Sequence, residues 1–244
     1  MNLPKIRDDL SLLEGYHSPQ VDVEIRLNTN ESPIPPPIKL TEDLGRELLK
    51  VNWNRYPDRM ASRLHSDIAK FHDVDPSMVL AANGSNEVLQ SLLLAYGGFG
   101  RKASVFEPTY ALHSHISALT GTEVVVGECS EDFTIEEVTV DAVLRQEPDV
   151  LFLCSPNNPT GVVAEREFVE SVVERCSNLG TLVIVDEAYG EFSDWSAVDL
   201  IREGFHIAVT KTFSKTWSMA GIRLGYVVAP DEIIENVRNV VLPY

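Results

Sequence analysis

Positive charge is scarce in this chain of 244 residues, which has 20 lysines and arginines against 37 aspartates and glutamates and a formal net charge of −17. Proteins that bind nucleic acid displace counterions from phosphates with clustered Lys and Arg, and the sequence has no such cluster. We therefore expect no nucleic-acid partner. A small anionic ligand remains compatible with this charge, because a few desolvated cations can bind one on an acidic protein.

Cysteine and long apolar runs are scarce as well. Cys129, Cys154 and Cys176 are widely spaced in apolar or mixed sequence, which argues against a disulfide framework or a zinc site and predicts buried small side chains. No uncharged apolar run is long enough to span a bilayer, and the N-terminus has no apolar signal-peptide core. We expect a cytoplasmic protein without a membrane partner.

Apolar residues make up 44% of the chain, enough for a large core, and their pattern alternates between strands and helices. Strands are predicted at 78–82, 103–107, 122–126, 149–154, 181–185, 206–210 and 223–228, and helices at about 41–52, 60–71, 87–96, 165–178, 198–203 and from 232. The continuous apolar run at 149–154 is typical of a parallel strand that is buried on both faces. Residues 1 to about 40 contain a proline-rich segment that cannot be helical, so we expect an arm that lies on the body.

A strand, a glycine turn and a helix start follow one another around residues 78–96. Backbone N–H groups at a helix N-terminus are unpaired and carry partial positive charge, so Gly84, Ser85 and Asn86 can cradle a phosphate there. The alternative interpretation is a simple N-cap formed by Ser85. The motif alone leaves both open.

Polar side chains follow two buried strands at their carboxyl ends, where open α/β sheets bind ligands. Asn158 lies in the stiff turn Ser155–Gly161, and Asp186 and Tyr189 follow the strand 181–185. A carboxylate at such a position is costly unless it meets a partner such as a protonated ring nitrogen. Tyr110, at the start of a helix, can stack on a flat ring, although an aromatic there is also typical of core packing.

The stretch Val209–Tyr226 sets one amine between small hydroxyl groups and an arginine. Thr212, Ser214 and Arg223 offer donors and positive charge to a phosphate. Lys215 offers an amine nucleophile whose pKa a neighbouring cation can lower. The same residues are also compatible with an ordinary solvated loop.

Three stretches taken together resemble the fold-type-I aminotransferases that depend on pyridoxal 5′-phosphate: Ser-Pro-Asn-Asn-Pro-Thr-Gly, Val-Asp-Glu-Ala-Tyr, and Ser-Lys-Thr-Trp-Ser-Met-Ala-Gly-Ile-Arg-Leu-Gly. They match that family in order and spacing, and the resemblance covers essentially the whole chain. It implies a three-layer α/β/α fold with a mostly parallel sheet. It also implies an N-terminal arm at 1–40, a cofactor-binding large domain at 41–230, and the start of a connection at 231–244. Relatives continue into a small C-terminal domain that we expect this chain to lack.

The resemblance implies a role for each matching residue. Lys215 would bond to the cofactor and act as general acid and base, and Asp186 would keep the pyridine nitrogen protonated. Asn158 and Tyr189 would bond the phenolic oxygen, and Tyr110 would stack on the ring. The phosphate would be held by Gly84, Ser85, Asn86, Thr212, Ser214 and Arg223, with Tyr56 reaching it from the other subunit of a homodimer. Tyr16 and Asn30 would contact the substrate, and the Asn158–Pro159 bond would be cis.

Within this family, the segment Leu27–Pro33, the pair Tyr56–Pro57 and the string Val185–Phe192 resemble the histidinol-phosphate aminotransferases, although Ser32 stands where that group commonly has asparagine. This resemblance implies amino transfer between L-histidinol phosphate and 2-oxoglutarate, giving imidazole-acetol phosphate and L-glutamate in histidine biosynthesis. The motifs leave three alternatives open: an aromatic amino acid aminotransferase, a threonine-phosphate decarboxylase, and a domain that binds the cofactor without turnover.

Overall fold

A seven-stranded sheet forms the centre of the computed structural model, which describes residues 3–11, 13, 15, 19 and 22–242. The strands are β1 Val79–Ala82, β2 Lys102–Glu107, β3 Glu123–Glu128, β4 Val150–Cys154, β5 Leu182–Asp186, β6 Ile207–Thr212 and β7 Gly225–Val228. Their order is β1-β7-β6-β5-β4-β2-β3. Neighbouring strands from β6 to β3 run parallel, and β7 is antiparallel to both β1 and β6. The expected mostly parallel sheet is confirmed.

Helices cover both faces of this sheet. They are α1 Ile38–Leu48, α2 Ser62–His72, α3 Ser85–Tyr96, α4 Leu112–Leu119, α5 Glu137–Leu144, α6 Arg166–Leu179, α7 Val198–Arg202 and α8 Asp231–Arg238. The core divides into two clusters, one formed with α2, α5, α6 and α7 and the other with α3, α4 and α8. The fold is therefore the expected three-layer α/β/α arrangement.

Alternate residues of each inner strand belong to opposite layers. On β5, Ile184 packs with the α3–α4 layer, whereas Val183 and Val185 pack with the α6–α7 layer, and all three are at most 1% exposed. Burial on both faces is what the continuous apolar runs predicted. The same alternation continues past the strand ends, so adjacent polar residues there serve different faces of the sheet.

Several local predictions were wrong. No helix was predicted at α5, whose acidic sequence obscures the buried residues Val140, Val143 and Leu144. Gly84 is the N-cap of α3, so Ser85 does not form the simple cap that was the alternative to an anion site. Of the three cysteines predicted to be buried, only Cys176 is; the other two are half-buried.

The N-terminal segment contacts the residues around Lys215. Ser32 Oγ lies 2.9 Å from Ser218 Oγ, and the backbone carbonyl of Thr29 accepts a hydrogen bond from Lys215 Nζ at 2.7 Å. Tyr16, a predicted substrate contact on the same arm, lies outside the described residues. Among the helices of the described ranges, none is long and apolar enough to cross a membrane.

Candidate active site

A cavity of about 790 Å³ lies where β4, β5 and β6 end, beneath the N-terminal arm. The residues predicted for the site that line this cavity are Asn30, Ser85, Asn86, Tyr110, Asn158, Asp186, Tyr189, Thr212, Ser214, Lys215 and Arg223. The cavity therefore brings together groups from the arm, the start of α3 and three strand ends. Tyr56 does not line it and is 80% exposed on the loop between α1 and α2.

The Lys215 side chain is half-buried in this cavity. Its ammonium donates to the Thr29 carbonyl and lies 5.8 Å from the ring centroid of Tyr189. Burial lowers the pKa of Lys215 below its ordinary value, while the negative charge of Glu31 opposes the shift and the positive charge of Arg223 adds to it. The result is an amine that loses its proton more readily than a surface lysine.

One corner of the cavity collects hydrogen-bond donors and positive charge. Arg223 Nη1 donates to Ser214 Oγ at 3.3 Å, and Thr212 Oγ1 donates to the same Ser214 oxygen at 3.1 Å. The sequence predicted that Arg223 begins a strand, and this prediction was wrong. Arg223 lies just before β7 and has a left-handed backbone with φ of 57°. This conformation turns the chain at the corner rather than continuing the strand.

Two glycines allow the start of α3 to approach this corner. A Cβ atom on Gly84, whose φ is +93°, would lie 2.5 Å from Arg223 Nη2. A Cβ atom on Gly225 would lie 2.2 Å from the backbone nitrogen of Ser85. The close packing brings the guanidinium of Arg223 against the N-terminus of α3, and both attract anions.

Asp186 ends β5 and is 1% exposed. His113 Nε2 lies 2.9 Å from its Oδ2 atom, and Thr210 Oγ1 and the Ala188 N–H both donate to Oδ1 at 3.1 Å. Because a carboxylate only accepts hydrogen bonds, Nε2 of His113 carries the proton. These three donors hold the carboxylate in one orientation at the cavity.

His113 is the residue that sequence reasoning missed. It is fully buried on α4 and stacks on Phe152, with ring centroids 4.6 Å apart and an interplanar angle of 8°. In the sequence, His113 and His115 stand two positions apart, a spacing that points them to different sides of a helix and indicates no partner for either. The partner of His113 lies 73 residues away, and no local spacing signals that contact.

Two tyrosines complete the walls. Tyr189 OH accepts a hydrogen bond from Asn30 Nδ2 at 2.9 Å, which ties the arm to the loop after β5. Tyr110 OH donates to Asn86 Oδ1 at 3.3 Å. The Asn158–Pro159 bond is cis, as the family resemblance implied.

This donor set fits pyridoxal phosphate. The corner around Arg223 suits a phosphate, the buried Asp186 carboxylate suits a protonated aromatic nitrogen, and Lys215 is an amine with a lowered pKa. The absent Cβ of Gly84 leaves room for the guanidinium to pack against the backbone at the start of α3. Each functional group of the cofactor therefore has a complementary side chain in one cavity.

The family model described as aminotransferase class I and II matches residues 22–244. The chain belongs to this family. It is 44% identical to the histidinol-phosphate aminotransferase of Frankia casuarinae and 43% identical to that of Thermobifida fusca, in each case over 98% of this chain. It spans 64% and 66% of the lengths of those relatives.

The aminotransferase fold is also evident among solved structures. The histidinol-phosphate aminotransferase of Sinorhizobium meliloti, solved in complex with pyridoxal-5′-phosphate, superposes with a TM-score of 0.80 at 22% identity. The match covers 87% of this chain and 58% of that one. At this identity the likeness concerns the fold.

Proposed function

We propose that this chain carries the cofactor site of a pyridoxal-phosphate-dependent aminotransferase that uses L-histidinol phosphate and 2-oxoglutarate. The observation that carries the proposal is the position of Lys215, whose amine shares one cavity with the Arg223 corner and with the Asp186 carboxylate. The names of the relatives at 43–44% identity support the substrate assignment.

The Arg223 corner would hold the phosphate. Arg223, Ser214 and Thr212 would donate from one side, and Ser85 and Asn86 at the start of α3 would donate from the other; all five line the cavity. Charge-assisted hydrogen bonds contribute about 1.5–3 kcal/mol each. Gly84 has no side chain that would push the guanidinium away.

The remaining polar groups would orient the ring. Asp186, held by His113 and Thr210, would place its negative charge beside the pyridine nitrogen. Asn158 and Tyr189 would bond the phenolic oxygen, and Tyr110 would cover one face of the ring. When bound, the cofactor supplies an electron sink that makes the α-proton of an amino substrate acidic.

Lys215 would move that proton. Its pKa is lowered by burial, so a larger fraction of the amine is neutral near pH 7 than at the surface, and a neutral amine accepts a proton. The same amine would be the attachment point of the cofactor. In the structure this amine donates to the carbonyl of Thr29, which also lines the cavity.

The arm would contribute to substrate choice. Asn30, already bonded to Tyr189, and Tyr16 would contact the substrate. Glu31 and Asp186 are the carboxylates among the described cavity residues, and Asp186 is already engaged by His113. Glu31 pairs with Arg26 through Oε2 at 3.4 Å, and its other carboxylate oxygen would accept from an imidazole N–H, a group that histidinol phosphate has and that phenylalanine and threonine phosphate lack.

A homodimer would complete the phosphate site with Tyr56 from the second copy. The segment that carries Tyr56 is apolar and exposed: α1 buries none of its residues, and Leu49 and Trp53 are 87% and 76% exposed. In this arrangement 1–40 is the arm, 41–230 is the cofactor-binding domain and 231–244 begins the connection to a further domain.

A substrate panel tests the function. Glutamate formation from 2-oxoglutarate is measured with histidinol phosphate or phenylalanine as donor, and carbon dioxide release is measured with threonine phosphate. We expect glutamate from histidinol phosphate, and none with Lys215→Ala. Preferred turnover of phenylalanine or release of carbon dioxide would assign the alternative enzymes. Cofactor binding without turnover of any donor would assign a binding domain.

A further inference from the structure

A second charged cluster lies behind the candidate active site, on the opposite face of the sheet. Lys211 of β6 is 4% exposed, and its Nζ lies 3.0 Å from Glu187 Oε2 and 3.3 Å from Glu191 Oε1. Lys211 precedes Thr212, and Glu187 follows Asp186, so each belongs to a strand end that also serves the cavity. Burying these charges is costly unless they are paired, and here each carboxylate contacts the ammonium.

The two carboxylates flank a residue of the cavity. Glu187 and Glu191 stand two positions before and two positions after Tyr189, and both contact the same ammonium. Tyr189 itself lines the cavity on the other side, where its hydroxyl accepts from Asn30. One cation thus fixes both ends of the short segment that presents the phenol.

The turn is built around this contact. A Cβ atom on Gly190 would lie 2.7 Å from Lys211 Nζ and 2.9 Å from Glu187 Cβ, so the ammonium packs directly against the backbone of the turn. Glu187 extends the network: its Oε1 accepts from the Ala197 N–H at 2.5 Å and its Oε2 accepts from Ser196 Oγ at 2.6 Å. The segment is held at both ends by charge-assisted bonds.

Neutral groups surround the cluster. Tyr226 stands directly opposite Lys211 on β7, and its hydroxyl lies 2.8 Å from His72 Nε2 on α2. Burial and the negative charges of Glu191 and Glu187 raise the pKa of Tyr226. Burial and the positive charges of Lys211 and Arg202 lower the pKa of His72 to about 4. Near neutral pH, Lys211 is therefore the cation that faces the two carboxylates, with Arg202 of α7 beyond His72.

We propose that Lys211 is a positioning residue of the active site, which binds Glu187 and Glu191 and so holds Tyr189 in the cavity from behind the sheet. The part of this proposal that concerns the cofactor rests on the function proposed above. The part that concerns the position of the turn is independent of that function, because the contacts of Lys211 with Glu187 and Glu191 lie within the protein.

Removing the cation removes both contacts that pin the turn. In Lys211→Met, the buried Glu187 carboxylate and the half-buried Glu191 carboxylate lose the counter-charge that they share. Like charges at this separation repel each other. The segment should therefore loosen in this variant.

The first measurement is amide hydrogen exchange of the cofactor-free protein over 187–197. Lys211→Met should exchange faster than the wild type at pH 8. Lys211→Arg should stay close to the wild type, because it restores the cation. Glu191→Gln removes the charge from one of the two contacts, so it should also speed exchange of this segment, and it answers the question if Lys211→Met does not fold.

The second measurement is cofactor affinity. At pH 8 we expect the dissociation constant of pyridoxal phosphate to rise about tenfold in Lys211→Met, as for the loss of one charge-assisted hydrogen bond. Val172→Ala is the control, because it removes buried atoms from α6 without touching the cluster.

The outcomes separate the two proposals. If Lys211→Met behaves as Val172→Ala does, with lower stability but unchanged local exchange and affinity, the cluster is only structural and the positioning role is wrong. If the wild type does not bind pyridoxal phosphate, the proposed function fails, whereas local exchange in Lys211→Met still decides whether the cation holds the turn.

Discussion

His113 Nε2 lies 2.9 Å from Asp186 Oδ2, and the two side chains are 0% and 2% exposed. This contact joins α4 to the end of β5 and orients a carboxylate that would otherwise be buried with less support. The stacking of His113 on Phe152 fixes the imidazole in turn. The orientation of Asp186 is therefore set by a residue that lies outside every recognisable motif.

Replacing His113 tests that contact. His113→Phe retains a ring that can stack on Phe152 but removes the donor to Asp186, so we expect unfolding free energy at pH 7 to fall by about 1–3 kcal/mol. Urea unfolding measures the change. His115→Phe, on the same helix and only half-buried, is the matched control and should change stability little. Equal losses in both variants would contradict the role given to His113.

The close approach at Gly84 gives a second prediction. Gly84→Ala places a Cβ atom 2.5 Å from Arg223 Nη2 and should displace the guanidinium, which raises the dissociation constant of pyridoxal phosphate about tenfold, as expected from loss of a charge-assisted hydrogen bond. Fluorescence titration measures it. Gly98→Ala is the control, because Gly98 also has a positive φ of 111° but nothing lies within 4 Å of its added Cβ. It should share the backbone strain and keep the affinity.

The charges around Lys215 give a third prediction. Glu31 stabilises the ammonium and Arg223 destabilises it, so Glu31→Gln should lower the pKa of Lys215 and Arg223→Gln should raise it. The pH dependence of Lys215 acylation in the cofactor-free protein, followed by peptide mass spectrometry, reports this pKa. Shifts of the same sign in both variants would show that the two charges do not act directly on Lys215.

His72 should make the free energy of unfolding depend on pH in the acidic range. Its folded pKa of about 4 lies below the unfolded value of 6.5, so the unfolded chain takes up the proton first as the pH falls. Its contribution to stability is complete above pH 6.5 and is lost between pH 6.5 and 4, by about 3 kcal/mol at most. His72→Gln should make the unfolding free energy less steep in that window. Identical pH profiles would contradict this assignment.

The sequence predicted the features of the fold and of the site that depend on short segments of the chain. The strands, most helices and the groups at the strand ends follow from apolar runs, glycine turns and motifs, and the cavity brings Lys215, Asn158 and Asp186 together as those motifs implied. The segment at α5 was missed although five of its eight residues are apolar, because it is short and directly follows an acidic stretch. Its burial is decided by the sheet it packs against.

What the sequence could not predict depends on pairing across the fold. His113 with Asp186, and Lys211 with Glu187, are joined by the order of the strands and by side-chain alternation at their ends. The residues next to a lysine or histidine in the sequence do not indicate which distant side chain it will contact. The register of β5 against β6 brings Lys211 to Glu187, and the packing of α4 on the sheet brings His113 to Asp186.

The most direct test of the account is where the cofactor attaches. The purified chain is mixed with pyridoxal phosphate, its visible absorbance is recorded, and the complex is reduced with borohydride and digested for peptide mass mapping. The account predicts a visible absorbance band and the mass of the reduced cofactor on the peptide that contains Lys215. Attachment to another lysine, or to none, would contradict the assignment of this cavity as the active site.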